Sequence, residues 1–181
     1  MTEQYVKNYA LALYSLCQEE GISLSDTYEE LKLADKVFSE NNEFIVLLSL
    51  PTITKDEKKA MLLDCFEGKL SGIVYDFICV MTENNAIMSF SDVFLSFKKL
   101  YFEESRIVEV EVITTQQLSD GLYTKLKSAL EKKLSKSVIL DTKIDTSILG
   151  GIVINYDNKQ LDASLKAKLA DIKKSIDCTI A

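Results

Sequence analysis

The period of the hydrophobic pattern changes once along this chain, and that change limits the available folds more than any other feature. Up to residue 105, apolar residues recur at intervals of three and four, as in Val93, Phe94, Phe97, Leu100 and Tyr101, the stripe of an amphipathic helix. From Arg106 the interval becomes two. In RIVEVEVIT, Val108, Val110 and Val112 face one way while Glu109 and Glu111 face the other, the mark of a half-buried strand. The pattern predicts an all-α N-terminal six-helix bundle over residues 1–105, followed by a small α+β C-terminal domain over residues 106–181.

Local signals divide each part further. Thr54 and Glu57 have the spacing of a capping box, and Asp26 with Glu29, Asn41 or Asn42, Ser71 and the Asn84-Asn85 pair mark the other helix breaks. The second part reads as strand 106–114, helix 119–134 opened by Ser119, strands 137–144 and 151–157, a short strand near 159–162 and a helix over 163–178. Leu122, Leu126, Ala129, Leu130 and Leu134 form the stripe expected to rest on the sheet, and Leu165, Leu169, Ile172 and Ile176 a second stripe expected to pack in the core. Charge divides at the same place: residues 1–105 hold 18 acids against 9 bases, a net −9, and residues 106–181 hold 10 against 12, a net +2.

Composition removes several classes of function. The chain has no histidine, and its four cysteines (Cys17, Cys65, Cys79 and Cys178) form no CxxC pair, so Cys/His zinc sites and histidine-based catalysis are excluded. The cysteines read as buried, reduced thiols. Asp141, Asp145, Asp157 and Asp162 are scattered carboxylates without a nucleophile motif beside them, so no catalytic residue, metal site or cofactor site is expected. One arginine, dispersed lysines and a net charge of −7 argue against nucleic acid. No apolar run is long enough for direct membrane insertion, and the first ten residues lack the pattern of a leader.

Two stretches stand apart from this background. Gly150 and Gly151 are two of only six glycines and precede a β-branched run. A phosphate cradle needs a longer glycine loop leading into a helix, whereas here a strand follows; the pair is expected at a turn or close backbone approach that a Cβ would obstruct. The first helix is apolar at Val6, Tyr9, Ala10, Leu11, Ala12, Leu13, Tyr14, Leu16 and Cys17, a band wider than the roughly 100° that one core face needs. Either a partner helix lies on the surplus, with Ala10 and Ala12 allowing close approach, or the helix is central to its own bundle.

DTSILGGIVI followed by LDASLKAKL resembles the C-terminal signature of the delta subunit of the F-type ATP synthase, the family of the mitochondrial oligomycin-sensitivity-conferring protein. YALALY at Tyr9–Tyr14, LSLPTITKDEKKAMLL at 48–63 and FLSFKKLYFEE at 94–104 agree with it, so the resemblance covers nearly the whole chain. It implies a non-catalytic stator subunit without a cofactor. The N-terminal bundle would bind the amino-terminal helices of the alpha subunits of the catalytic head. The C-terminal domain would hold the b subunits of the peripheral stalk, so that proton-driven rotation is coupled to ATP synthesis. Under it, Val6, Tyr9, Ala10, Leu13, Tyr14 and Phe77 are the expected head contacts, and Gly150, Gly151, Asp162 and Ser164 form the structural motif. Lys166, Lys168, Lys173 and Lys174 read as a solvated face, with attraction of acidic stalk ends as the alternative. The missing transit peptide points to a bacterial protein at the cytoplasmic face of the cell membrane, and an unrelated helical adaptor is the alternative.

Overall fold

The computed structural model describes residues 3–66, 68–157 and 159–169. The chain divides into two compact units, Met1–Glu104 and Ser105–Ala181.

The helices of the first unit are α1 (Glu3–Glu19), α2 (Leu24–Glu40), α3 (Asn42–Ser49), α4 (Lys55–Phe66), α5 (Gly72–Glu83) and α6 (Phe90–Glu104), the last entered through a 3-10 turn at Ile87–Ser89. Their starts show how local sequence sets the breaks. At α4 the Thr54 amide donates to Glu57 Oε2 at 2.9 Å and the Glu57 amide returns to Thr54 Oγ1 at 3.4 Å, a complete capping box. The start of α2 differs from expectation: Ser23, not Asp26, is the cap, and its hydroxyl accepts from the Asp26 amide at 3.3 Å. Asp26 then lies within the first turn, where a carboxylate favours the positive end of the helix dipole. Ser71 opens α5 without using its own side chain as an acceptor. Instead its amide and hydroxyl both donate to Glu30 Oε2 of α2, at 2.8 and 2.6 Å, so a carboxylate 41 residues away serves the helix start.

Aromatic rings join these helices into one core. Phe38 of α2 is fully buried and meets Phe44 of α3, Phe66 of α4 and Phe90 of α6, with ring centroids 6.0, 5.6 and 5.0 Å away. Tyr28 lies against Phe94, Tyr101 and Phe102 of α6. From α1, Val6, Ala10, Leu13 and Cys17 enter the same core as a stripe at intervals of four and three.

The second unit contains β1 (Ile107–Thr114), α7 (Asp120–Leu134), β2 (Ser137–Ile144), a 3-10 turn at Thr146–Ile148, β3 (Ile152–Tyr156) and β4 (Lys159–Asp162). The sheet order is β2-β1-β3-β4: β1 is parallel to β2 through the α7 crossover, and β3 and β4 add antiparallel. Val108, Val110 and Val112 are buried with Val138, Leu140 and Leu130, while Glu109 is exposed, so the alternation in the sequence is the alternation of the sheet.

The stripe of α7 is less buried than its spacing suggests. Leu126, Leu130 and Leu134 pack on the sheet, but Leu122 and Ala129 are exposed, because the four-stranded sheet is too small to cover the helix along its length. Helical structure resumes at 165–169. Leu165 is 50% and Leu169 58% exposed, which corrects the expectation that they pack in the core. Ile172, Ile176 and the remainder of the helix expected to 178 lie outside the described residues.

Candidate functional site: the exposed seam of the first and fifth helices

Four of the nine apolar or small positions that widen α1 are core. Ala10 is 0% exposed, and Val6, Leu13 and Cys17 are buried with it, so these residues seat α1 in its own unit. The surplus lies on a neighbouring stripe. Tyr5, Tyr9, Ala12 and Leu16 follow one another at intervals of four, three and four, which aligns them along one side of the helix.

That stripe meets α5. Tyr5 and Tyr9 are in edge contact at 5.3 Å between centroids, and Tyr9 meets Phe77 edge-on at 6.2 Å. The Asn84 amide donates to the Tyr9 hydroxyl at 3.0 Å, which fixes the ring over the seam, and burial raises the phenol's pKa, so Tyr9 stays neutral. Phe77, Val80 and Asn84 continue the seam along α5 at intervals of three and four. Tyr5 is 44% and Val80 49% exposed, so the seam has a half-buried aromatic floor between two open apolar shoulders.

Acid flanks the seam. Asp76 precedes Val80 by four residues and is exposed; Glu83 follows it by three. Glu83 bridges to Lys59 at 2.8 Å and Lys55 at 3.2 Å of α4, and these bonds hold its carboxyl below the usual range and raise Lys59. The arrangement binds α5 to α4 and leaves Asp76 as the open charge beside the strip.

Of the expected head contacts, Tyr9 and Phe77 meet at this seam. Val6, Ala10 and Leu13 lie inside the core, and Tyr14 is half-buried on the opposite flank of α1, where its hydroxyl accepts from Gln18 at 2.7 Å. Tyr5, Leu16, Val80 and Asn84 are not among the expected contacts: in the sequence Leu16 reads only as part of the apolar band of α1 and Asn84 only as a helix break. The i, i+4, i+7, i+11 stripe starting at Tyr5 is the sequence signal that would have pointed to α1's share, while α5's share required the helix pairing.

In the second unit the glycine pair and the 162–164 segment come together. The Gly150 carbonyl accepts from Leu165 N and the Ile152 carbonyl from Ala163 N, each at 2.9 Å. Gly151 has φ +88°, and a Cβ there would lie 3.0 Å from Ser164 Cα and closer still to the Ala163 carbonyl oxygen. Asp162 Oδ1 accepts from Ser164 N at 2.8 Å, and Ser164 Oγ accepts from Ala167 N at 3.1 Å, so one side chain shapes the turn and the next caps the helix. The Ser164 bonds hold the Asp162 carboxyl below its ordinary range. Asp145 does the same work at Ser147, and Asp157 pairs with Lys136 at 3.8 Å. These carboxylates shape turns and pairs rather than gather in a cleft. Lys166 and Lys168 are exposed; Lys173, Lys174 and Cys178 lie outside the described residues.

The chain thus joins a helical unit that carries an open aromatic seam to a small α+β unit. No described helix is long and apolar enough to cross a membrane. Residues 6–176 match the ATP synthase delta (OSCP) subunit family, and the chain belongs to it. The ATP synthase subunit delta of Clostridium beijerinckii is 30% identical over 174 residues, covering 96% of this chain and 97% of that protein. That of Alkalihalophilus pseudofirmus is 30% identical over 178 residues, with 97% of each covered. A chain in the Toxoplasma gondii mitochondrial ATP synthase hexamer shares the fold, with a TM-score of 0.70 at 16% identity over 94% of this chain and 96% of that one.

Proposed function

We propose that this chain is the stator link of a bacterial F-type ATP synthase, a peripheral subunit at the cytoplasmic face of the membrane that performs no catalysis itself. Its six-helix bundle, residues 1–105, holds the catalytic head through the alpha-subunit amino-terminal helices. Its α+β domain, residues 106–181, holds the b subunits of the peripheral stalk. A link of this kind keeps the head from turning with the rotor, so that proton-driven rotation is converted into ATP synthesis.

The observation that carries the reading is the α1/α5 seam. A helix laid there buries Tyr5, Leu16 and Val80 on the Tyr9–Phe77 floor, and the acidic first part of the chain favours a basic amphipathic helix. Family membership supports the assignment of that helix to the head.

Calorimetric titration of the full chain with an alpha-subunit N-terminal peptide tests it. Binding should weaken at least tenfold in Val80→Asp, which places a charge on an exposed apolar shoulder, with helicity unchanged. Binding that is absent in the unsubstituted chain, or indifferent to Val80→Asp, would refute the seam as the head contact.

A further inference from the structure

α1 has a second flank, and it too is open. Between α1 and α6 runs a groove of about 590 Å³ whose floor includes the buried Val6 and Ala10. Leu11, 46% exposed, and Leu95, 50% exposed, stand on its two sides.

The lip on α6 has a regular pattern. Asp92, Ser96, Lys99 and Glu103 line the groove at i, i+4, i+7 and i+11, a straight row along about three helical turns, or ~16 Å. Among the described residues, none of Asp92, Lys99 and Glu103 forms an ion pair within 4.0 Å, so the row reads acid, base, acid, with Lys99 also near enough to Glu3 to help lower its carboxyl. On the α1 lip, Glu3 and Lys7 neutralise each other at 2.7 Å.

An apolar trough of three turns bordered by such a row fits one kind of occupant. We propose that the α1/α6 groove is a second docking site, taken by a three-turn amphipathic helix of another protein. That helix carries two basic residues eleven apart and an acidic residue between them, matched to Asp92, Glu103 and Lys99. Its leucine-like face meets Leu11 and Leu95, and the ionic row sets its register, as flanking charges do where helices pair. The site is separate from the α1/α5 seam and does not depend on the assignment of the head to that seam.

The test uses the full chain and synthetic 18-residue helical peptides with leucine at the a and d positions. One pair carries the base–acid–base register in either direction, and a control carries acid–base–acid. One register peptide should bind at least tenfold more tightly than the control. Leu95→Asp, at a half-exposed position, should abolish that binding with circular dichroism unchanged, and Lys99→Glu should shift preference to a peptide with a central lysine. Val80→Asp should leave it unaltered, which separates this site from the seam. The proposal fails if all peptides bind alike, if none binds, if Leu95→Asp has no effect, or if sedimentation shows a dimer of this chain that Leu95→Asp dissociates.

Discussion

The two units solve the problem of a small core in opposite ways. The helical unit is closed by large rings: Phe38 alone ties α2 to α3, α4 and α6, and Tyr28 seats α6. The α+β unit has a thin layer of valine and leucine between α7 and the sheet, and it relies on turn geometry: the Gly150-Gly151 approach, two aspartate-serine turns and a serine cap. A well-filled core tolerates apolar shoulders such as Tyr5 and Val80 on its outside. A core held by backbone devices is more sensitive to a single misplaced Cβ.

Four substitutions sharpen or break that contrast. Phe38→Ala should cost about 3–5 kcal/mol through lost burial and the cavity left behind, read as a lowered denaturation midpoint of the helical signal. A loss below 1 kcal/mol would mean that the rings are not the closure of this unit. Gly151→Ala should cost about 2 kcal/mol, since φ +88° and the backbone of 163–164 both oppose a side chain. The expected readout is loss of amide-exchange protection in β3 and β4, with the helices unaffected.

Glu30→Ala removes the carboxylate that accepts both Ser71 donors, with an expected cost of about 1 kcal/mol, comparable to losing a helix cap. Exchange at the first amides of α5 should rise. The smallest effect is expected at Glu111, which Lys143 and Asn155 hold below the ordinary glutamate range from the adjoining strands. A depressed carboxyl adds stability that is present above its unfolded pKa and disappears as pH falls through the folded one. Glu111→Gln should therefore lower stability slightly at neutral pH and converge with the unsubstituted chain as pH falls below about 4.5, which flattens the acid limb of the stability profile. A thermal-melt series across pH 2–7 checks the slope.

Legibility in the sequence followed the range of the interaction. The Thr54–Glu57 box and the Val108, Val110, Val112 alternation are local, and their spacing alone carried them into the structure. The start of α2 was read one turn late because Ser23 and Asp26 are both competent caps; neighbouring Ile22 and Leu24 pack against the core and favour the earlier one. Glu30 at the start of α5 could not be foreseen, since nothing near Ser71 announces a partner from another helix. The exposure of Leu122 and Leu165 depends on how far the sheet extends beneath them, a tertiary quantity. The seam was half visible: the width of α1's apolar band showed a surplus, but only the packing separates Ala10 within from Tyr5 and Leu16 without.

The contact between 150–152 and 163–165 also has a mechanical meaning. Tension applied along the chain beyond residue 169 reaches Leu165 and Ala163, whose amides are held by the carbonyls of Gly150 and Ile152. From Ile152 the strain enters β3 and passes sideways to its antiparallel neighbour β1, the strand at the middle of the sheet. The 150–152 segment is therefore the rivet through which a pull at Leu165 is distributed over the sheet, and Gly151, between its two bonded carbonyls, lets the 163–164 backbone come close enough for the rivet to form.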